Sequence, residues 1–438
     1  MTTFFNITIP YNGNFSQPAN AAGRTHDLIP LTTNRWISAF AQQVQAIVYL
    51  NIIDFADFAN SSTYTNTKTL FITPLPNSSI AGIYLIKITD ERVALFVERD
   101  VYIVDIIGSN IEVILHEPNF FVRGALNNVN TAYDSTNGDT GRGYGECFYA
   151  RSFKNNEFFV MDQEDSATAT GNTNSMGNFA SYAFRFMHIV YDPITNTLTN
   201  NSRRLFVAAD SDTPPAAGYM FKLHITNIPD SNKLYMSFNI SRSNSSTTSF
   251  SYLYPVYFYS AIIDDAGIVQ SIKTYPNVDL NFISWNGTQL SQQKTNPTAS
   301  VALSENLIMW HPQHLTSLVM EYNGDFTNIV NPGGLNPTYS KCTDIIPLDA
   351  GHYIMRWVEP DSLGKISNER IYVIRLINNQ FIQFGNAIEP ATNTIQNTFS
   401  YNPRKYQMYK LSNTMFALFS GVSNGFSSVT YQLARIKI

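Results

Sequence analysis

Residues 26–40 read HDLIPLTTNRWISAF, and residues 343–357 read TDIIPLDAGHYIMRW. Both stretches run through an acidic residue, an apolar pair, Pro-Leu and a short polar turn into an aromatic residue and alternating apolar positions. A repeat at this distance constrains the fold more than any local pattern does, because a repeated unit buries its apolar face only against its neighbours. Alternation on either side of a tight polar turn is the signature of two antiparallel strands.

Looser copies of the pair stand between and after these two. They are YLIKITDERVALF (84–96), CFYARSFKNNEFFVM (147–161), FKLHITNIPDSNKLYMSF (221–238), SVALSENLIMW (300–310) and YQMYKLSNTMFALF (406–419). A third apolar run follows each pair, as in VYIVDII (101–107), FRFMHIVYD (184–192) and TYQLARIKI (430–438). Most third runs then turn through Gly, Asn or Asp, residues that tolerate positive φ in hairpin turns. Seven units of about four antiparallel strands predict a seven-bladed β-propeller, which shields its sheet edges by radial repetition. The expected blades are 24–76, 82–116, 146–207, 219–275, 299–330, 342–385 and 405–438, in a single domain covering 1–438. The last unit has room for three strands only. Residues 3–9 (TFFNITI) alternate and supply the missing one, so the N-terminal strand is expected to close the propeller against the C-terminal blade.

Composition narrows the function classes. Charged residues make up 14% of the chain, against about 25% in ordinary globular proteins. The formal net charge is −5 and no basic stripe occurs, which argues against nucleic acid as a partner. No apolar run reaches the length of a membrane span, so no membrane insertion is expected. The opening MTTFFNITIP lacks the charged start and continuous apolar stretch of a secretory signal. Cys147 and Cys342 read as buried free thiols. Sequons at Asn6, Asn14, Asn60, Asn77, Asn200, Asn239, Asn244 and Asn286 are what so much Asn, Ser and Thr gives by chance.

The connections carry the functional expectation. Those from first to second and third to fourth strand are mostly short. The others hold the insertions: 56–69, 117–145, 162–182, 208–218, 241–252, 275–298, 331–341, 359–368 and 386–404. Insertions gathered on one face are where repeat proteins bind. Tyr133, Arg142, Tyr144 and Trp285 lie in these segments, with Trp310 and Trp357 at the ends of second strands, and the six form the expected binding set. Tyr, Trp and Arg dominate interface energetics.

Chemical motifs are scarce. The Gly-rich stretch 137–145 lacks the Gly-Lys-Ser/Thr ending that grips phosphates. His311 and His314 flank a proline that breaks the helix presenting such a pair to zinc. Asp162–Asp165 and Asp210–Asp212 match no calcium loop. Asp27 and Asp344 occupy matching places in the two best repeats. In a glycosidase or lyase they would be acid or base candidates, but their repetition fits a role in the fold. The expectation is a chain with no catalytic residue, no metal and no cofactor.

Low charge, few cysteines, Asn- and Thr-rich β-repeats and large loops on one face together resemble tailed-phage virion proteins. There, propellers occur as tail hub or nozzle rings and as fibre or receptor-binding parts. The resemblance covers the architecture and composition of the whole chain, not a motif. It implies a non-enzymatic structural or adhesive protein located in the virion. Its partners would be other virion proteins, in several copies of a symmetric assembly, and a host-surface glycan or receptor. The alternative is a carbohydrate-binding or glycan-degrading propeller.

Overall fold

The computed structural model describes residues 2–10, 26–42, 47–72, 83–97, 100–118, 120, 147–154, 156–164, 183–207, 218–228, 231, 233–242, 254–263, 269–276, 282–283, 289–290, 297–304, 307–312, 318–321, 341–347, 352–360, 366–377, 380–383, 407–424 and 428–437. Every regular element among them is a β-strand.

After β1 (Thr2–Pro10), the strands fall into consecutive antiparallel sheets. The first sheet is β2 (His26–Pro30), β3 (Arg35–Gln42), β4 (Ile47–Phe55) and β5 (Tyr64–Ile72). The second is β6 (Ile83–Thr89), β7 (Arg92–Val97), β8 (Asp100–Ile107) and β9 (Asn110–Glu117). The third is β10 (Cys147–Lys154), β11 (Glu157–Glu164), β12 (Ala183–Asp192) and β13 (Thr197–Val207). The fourth is β14 (Gly218–Asn227), β15 (Leu234–Arg242), β16 (Tyr254–Ile263) and β17 (Val269–Pro276). A two-stranded ribbon, β18 (Phe282–Ile283) and β19 (Gln289–Leu290), precedes the fifth sheet. That sheet is β20 (Pro297–Ser304), β21 (Leu307–Pro312) and β22 (Leu318–Glu321). The sixth is β23 (Lys341–Pro347), β24 (His352–Pro360), β25 (Ile366–Ile377) and β26 (Gln380–Gln383). The last combines β27 (Gln407–Lys410), β28 (Met415–Asn424) and β29 (Ser428–Lys437) with β1, in the order β1-β29-β28-β27.

Strand β1 therefore completes the last sheet, as its alternation predicts. It pairs with β29 from Thr2 opposite Ile436 to Pro10 opposite Ser428. Thr8 and Thr430 face each other with hydroxyls 3.0 Å apart.

The chain forms two compact units. In the unit made of 1–215 and 407–438, four sheets stack in series, and the first and second bury both faces. Alternation in the first sheet sends Leu28, Trp36, Phe40, Tyr49, Ile53 and Phe55 toward the last sheet, where they meet Ile7, Ile9, Met415, Phe419, Tyr431 and Leu433. The intervening residues Ile29, Ile37, Leu50 and Ile52 pack on Ile83, Leu85, Val93 and Leu95 of the second sheet. That sheet's other face, with Tyr84, Ile86, Phe96 and Ile103, packs on Ala150, Phe158, Val160 and Ile189 of the third. A strand covered on both faces carries near-continuous apolar runs, which is why VYIVDII and IVYLNII read as they do. The first strands of consecutive sheets, β2, β6 and β10, are neighbours. In the unit of residues 216–406, β14, β20 and β23 are neighbours in the same way.

Two-residue turns demand the right residues. Ile107 pairs with Asn110 across Gly108 and Ser109. Gly108 has φ 58° at the first central position, which suits a type II′ hairpin. Asn156 and Asn196 occupy the left-handed region at φ 61° and 52°, which Asn tolerates better than other side chains.

One segment departs from the sequence reading. The insertion 56–69 was expected among the second-to-third and sheet-to-sheet connections. Residues 64–72 are instead the fourth strand of the first sheet, so 56–63 joins third to fourth strand, at the opposite end. The polar run YTNTKT, on an outer strand, lacks the apolar alternation that marks a buried one.

Candidate functional site

Antiparallel order puts the first-to-second and third-to-fourth connections at one end of each sheet, and the remaining connections at the other. The first group includes 31–34, 90–91, 108–109, 193–196 and 411–414. The second includes 118–146, 165–182, 243–253 and 384–406. The second, third, fourth and sixth sheets thus have a short-connection end and a long-connection end, and the first sheet, with 56–63 at the former, does not divide so clearly.

A polar constellation stands at the long-connection end of the second sheet. Asp100 opens β8 and His116 sits near the end of β9, directly across from Tyr102. Asp100 is 2% exposed and accepts hydrogen bonds from the Tyr102 hydroxyl (3.1 Å) and His116 Nε2 (2.9 Å). The imidazole lies flat on the Tyr102 ring, with centroids 4.2 Å apart and planes inclined by 6°. Burial, together with the Asp100 charge and hydrogen bond, pushes the Tyr102 phenol well above its ordinary range, so it serves as a neutral donor. Nε2 is turned to the carboxylate, and Nδ1 lies on the other side of an exposed ring. Such a ring can take a hydrogen bond from a hydroxyl or move a proton at Nδ1. A glycosidase needs two carboxyl groups flanking the scissile bond; Asp100 instead has an imidazole and a phenol as its partners.

Sequence reading missed this set because no motif links residues 100, 102 and 116. Hairpin counting from the Gly108 turn comes close. However, an irregularity between Ile103 and Val104 shifts the register, and a one-residue slip exchanges the faces of a strand.

Two further polar groups lie in the same unit. Glu157 Oε2 is 2.6 Å from His188 Nε2. Arg92 grips Asp105 through Nε and Nη2 (2.5 and 2.9 Å) and reaches the Tyr191 hydroxyl at 3.2 Å. The hydrogen bond that Arg92 donates to Asp105 leads the causes that raise its guanidinium pKa.

Of the expected binding residues, Tyr133, Arg142, Tyr144 and Trp285 lie outside the described residues. Trp310 is in β21 opposite Ser300 and Leu318. Trp357 is in β24 opposite Cys342 and Arg370. Neither ends its strand, since β21 runs on to Pro312 and β24 to Pro360. His311 and Asp162 are likewise strand residues, and His314, Asp165, Asp210 and Asp212 are outside the described set. Among the described residues no group of three potential metal ligands occurs.

Asp27 takes the fold role that its repetition suggests. It is 1% exposed and accepts from Leu28 N (3.0 Å) and from Leu85 N in the first strand of the next sheet (2.7 Å). The bond runs to a neighbouring strand, where a neighbouring turn was expected.

No family model matches the chain, and no curated protein matches it. Similar solved structures exist. The α-L-arabinofuranosidase Arb93A from Fusarium graminearum shares 11% identity with a TM-score of 0.39, over 80% of this chain and 92% of that one. YCF48 bound to D1 peptide shares 8% with a TM-score of 0.46, over 99% and 95%. The β-propeller domain of the Trilobed protease from Pyrococcus furiosus shares 7% with a TM-score of 0.36, over 91% and 89%. The fold is all-β, built of antiparallel four-stranded sheets, and its structural neighbours include β-propellers. The expectation of a chain without catalysis is corrected here: an arabinofuranosidase stands among those neighbours, so the architecture is no ground for excluding an enzyme.

Proposed function

We propose that the chain is a single seven-bladed propeller, closed by β1, that serves as a structural or adhesive component of a virus particle of the tailed-phage type. The blades correspond to the seven sheets of three or four strands described above. The observation that carries the reading is the division of connections: outside the first sheet, where 56–63 departs from the pattern, the four-stranded sheets keep the shorter connections at one end, while most of the added chain length leaves from the other. A fold that confines its insertions in this way presents a variable surface on a constant frame. The long-connection end would engage other particle proteins or a host surface. Tyr133, Arg142, Tyr144, Trp285, Trp310 and Trp357 belong to this proposal as contact residues.

The test is quantitative mass spectrometry of purified particles against the soluble fraction of the source. A fixed ratio to tail or capsid proteins supports the reading, and absence from particles refutes it.

The Asp100, Tyr102 and His116 set favours a second reading, a glycan-binding or glycan-processing propeller. A carboxylate-fixed imidazole beside a phenol offers hydrogen bonds to sugar hydroxyls at the end where the long connections lie. Glycan-array binding lost in His116→Ala, with or without product release, would support it; no binding by the intact chain would refute it.

A further inference from the structure

The short-connection end of the four-sheet unit carries features that folding does not require. Ile194 is 93% exposed at the tip of the turn between β12 and β13, and Ile107 is 58% exposed beside the turn between β8 and β9. Both turns are held firmly. Asp192 accepts from Ile194 N (2.8 Å) and from Thr195 Oγ1 (2.8 Å). Asn196 accepts from the Tyr191 hydroxyl (2.9 Å), and its amide donates to the Ile114 carbonyl of the second sheet (2.8 Å). The Gly108 carbonyl accepts from the Arg35 guanidinium of the first sheet. An apolar side chain presented on a rigid turn loses little entropy on docking.

Net charge shifts along the same end, with the Arg35–Asp54 and Arg92–Asp105 pairs and Asp57 standing between the two extremes. Around the turns of the second and third sheets stand Asp90, Glu91, Glu112 and Asp192, with Lys87 paired to Asp90 at 2.6 Å. At the opposite end of the stack, the last sheet presents Lys410 just before its first turn and Lys437, which donates to Asn60. The buried Arg435 there is bonded to the carbonyls of Phe58 and Ser61, not to a carboxylate.

We infer that this end is a self-association surface that meets a second copy of the chain about a twofold axis. Twofold symmetry lays the acidic, isoleucine-bearing half of one copy on the basic half of the other, and does so twice. Isoleucine offers no hydrogen bond to a sugar, and the carboxylates beside it disfavour nucleic acid or an anionic lipid surface. The inference does not depend on the particle reading, which concerns the other end of the sheets.

Sedimentation velocity on the full chain over a wide concentration range tests it. The expected result is a dimer that weakens with salt, with Kd raised about tenfold by Ile194→Asp. Lys410→Glu should weaken it too, and adding Glu112→Lys should restore it. Ile194 and Lys410 are exposed, so unchanged far-UV circular dichroism and melting will show that the variants fold. A wild-type monomer at every concentration overturns the inference, and so does self-association that both variants leave unchanged. Particle incorporation by a monomeric chain would leave the proposed function standing while this inference falls.

Discussion

Removing the apolar contribution of β1 should destabilise the four-sheet unit out of proportion to the strand's length. Ile7 and Ile9 are fully buried and reach the interface between the last and first sheets, with Trp36, Phe55 and Tyr431. Phe5 adds edge-on contacts to Phe55 and Phe58, with centroids 6.0 and 5.7 Å away. The strand's outer backbone edge is covered as well: the Tyr64 hydroxyl accepts from Thr8 N at 2.6 Å and donates to Thr8 O at 3.0 Å. Truncating a buried Ile to Ala costs about 2–5 kcal/mol. For a unit of this size that corresponds to a fall in Tm of roughly 4–20 °C per site. That energy is a large share of a domain's stability margin of about 5–15 kcal/mol. Asn6 is exposed on the opposite face, so Asn6→Ala should stay within about 0.5 kcal/mol of wild type. Urea titration and thermal melting of Ile7→Ala, Ile9→Ala and Asn6→Ala make the comparison, with a chain lacking residues 1–10 as the extreme case. If the two isoleucine variants melt with wild type, or the truncated chain is as stable as the intact one, β1 is not a structural member of the last sheet.

Three further outcomes are expected. Asp27→Ala orphans the Leu28 and Leu85 amides and should cost about 1–3 kcal/mol for each in urea titration; a neutral result would mean that the bond to β6 contributes nothing. Burial raises the Tyr431 pKa, with the Asp27 charge adding to it. The unfolded phenol titrates near 10, so this stability is whole below pH about 10 and is lost above it, by up to about 1.4 kcal/mol per pH unit. Tyr431→Phe should therefore flatten the alkaline limb of the urea midpoint between pH 9 and 11, and an unchanged limb would refute the assignment. Asn196→Ala forces a left-handed residue, costing about 1–2 kcal/mol, and loses hydrogen bonds worth about 1 kcal/mol each. Asn196→Gly should keep the backbone and lose only the bonds, so equal melting of the two variants would discount the φ argument.

The strand pairs and the role of β1 were legible because two-sided burial writes itself into sequence. Residues that touch neighbours on both faces must be apolar in runs, and the turns between them need Gly or Asn where φ is positive, as at Gly108, Asn156 and Asn196. The fourth strand of the first sheet was not legible. In β5 the run Thr65–Thr69 is polar because an outer strand has little to bury, so YTNTKT reads as a loop until its pairing with β4 is seen. Outer strands elsewhere became visible only where a turn preceded them, as Gly108–Ser109 precedes β9.

The candidate site was illegible for a different reason. His116 meets Asp100 only because β9 carries one more residue than β8 needs on the way back from the Gly108 turn. Without that shift, His116 would pair with Val101 and point to the other face, where Phe96 and Ile103 pack against the third sheet. Pattern and turn chemistry specify which strands pair, but the position of an irregularity depends on packing between sheets that no local window contains. Bulges are used to re-aim side chains at sheet edges and beside sites. Here the re-aimed residue is the imidazole that a buried carboxylate holds flat on a tyrosine. That coincidence makes the long-connection end of the second sheet the first place to look for a ligand.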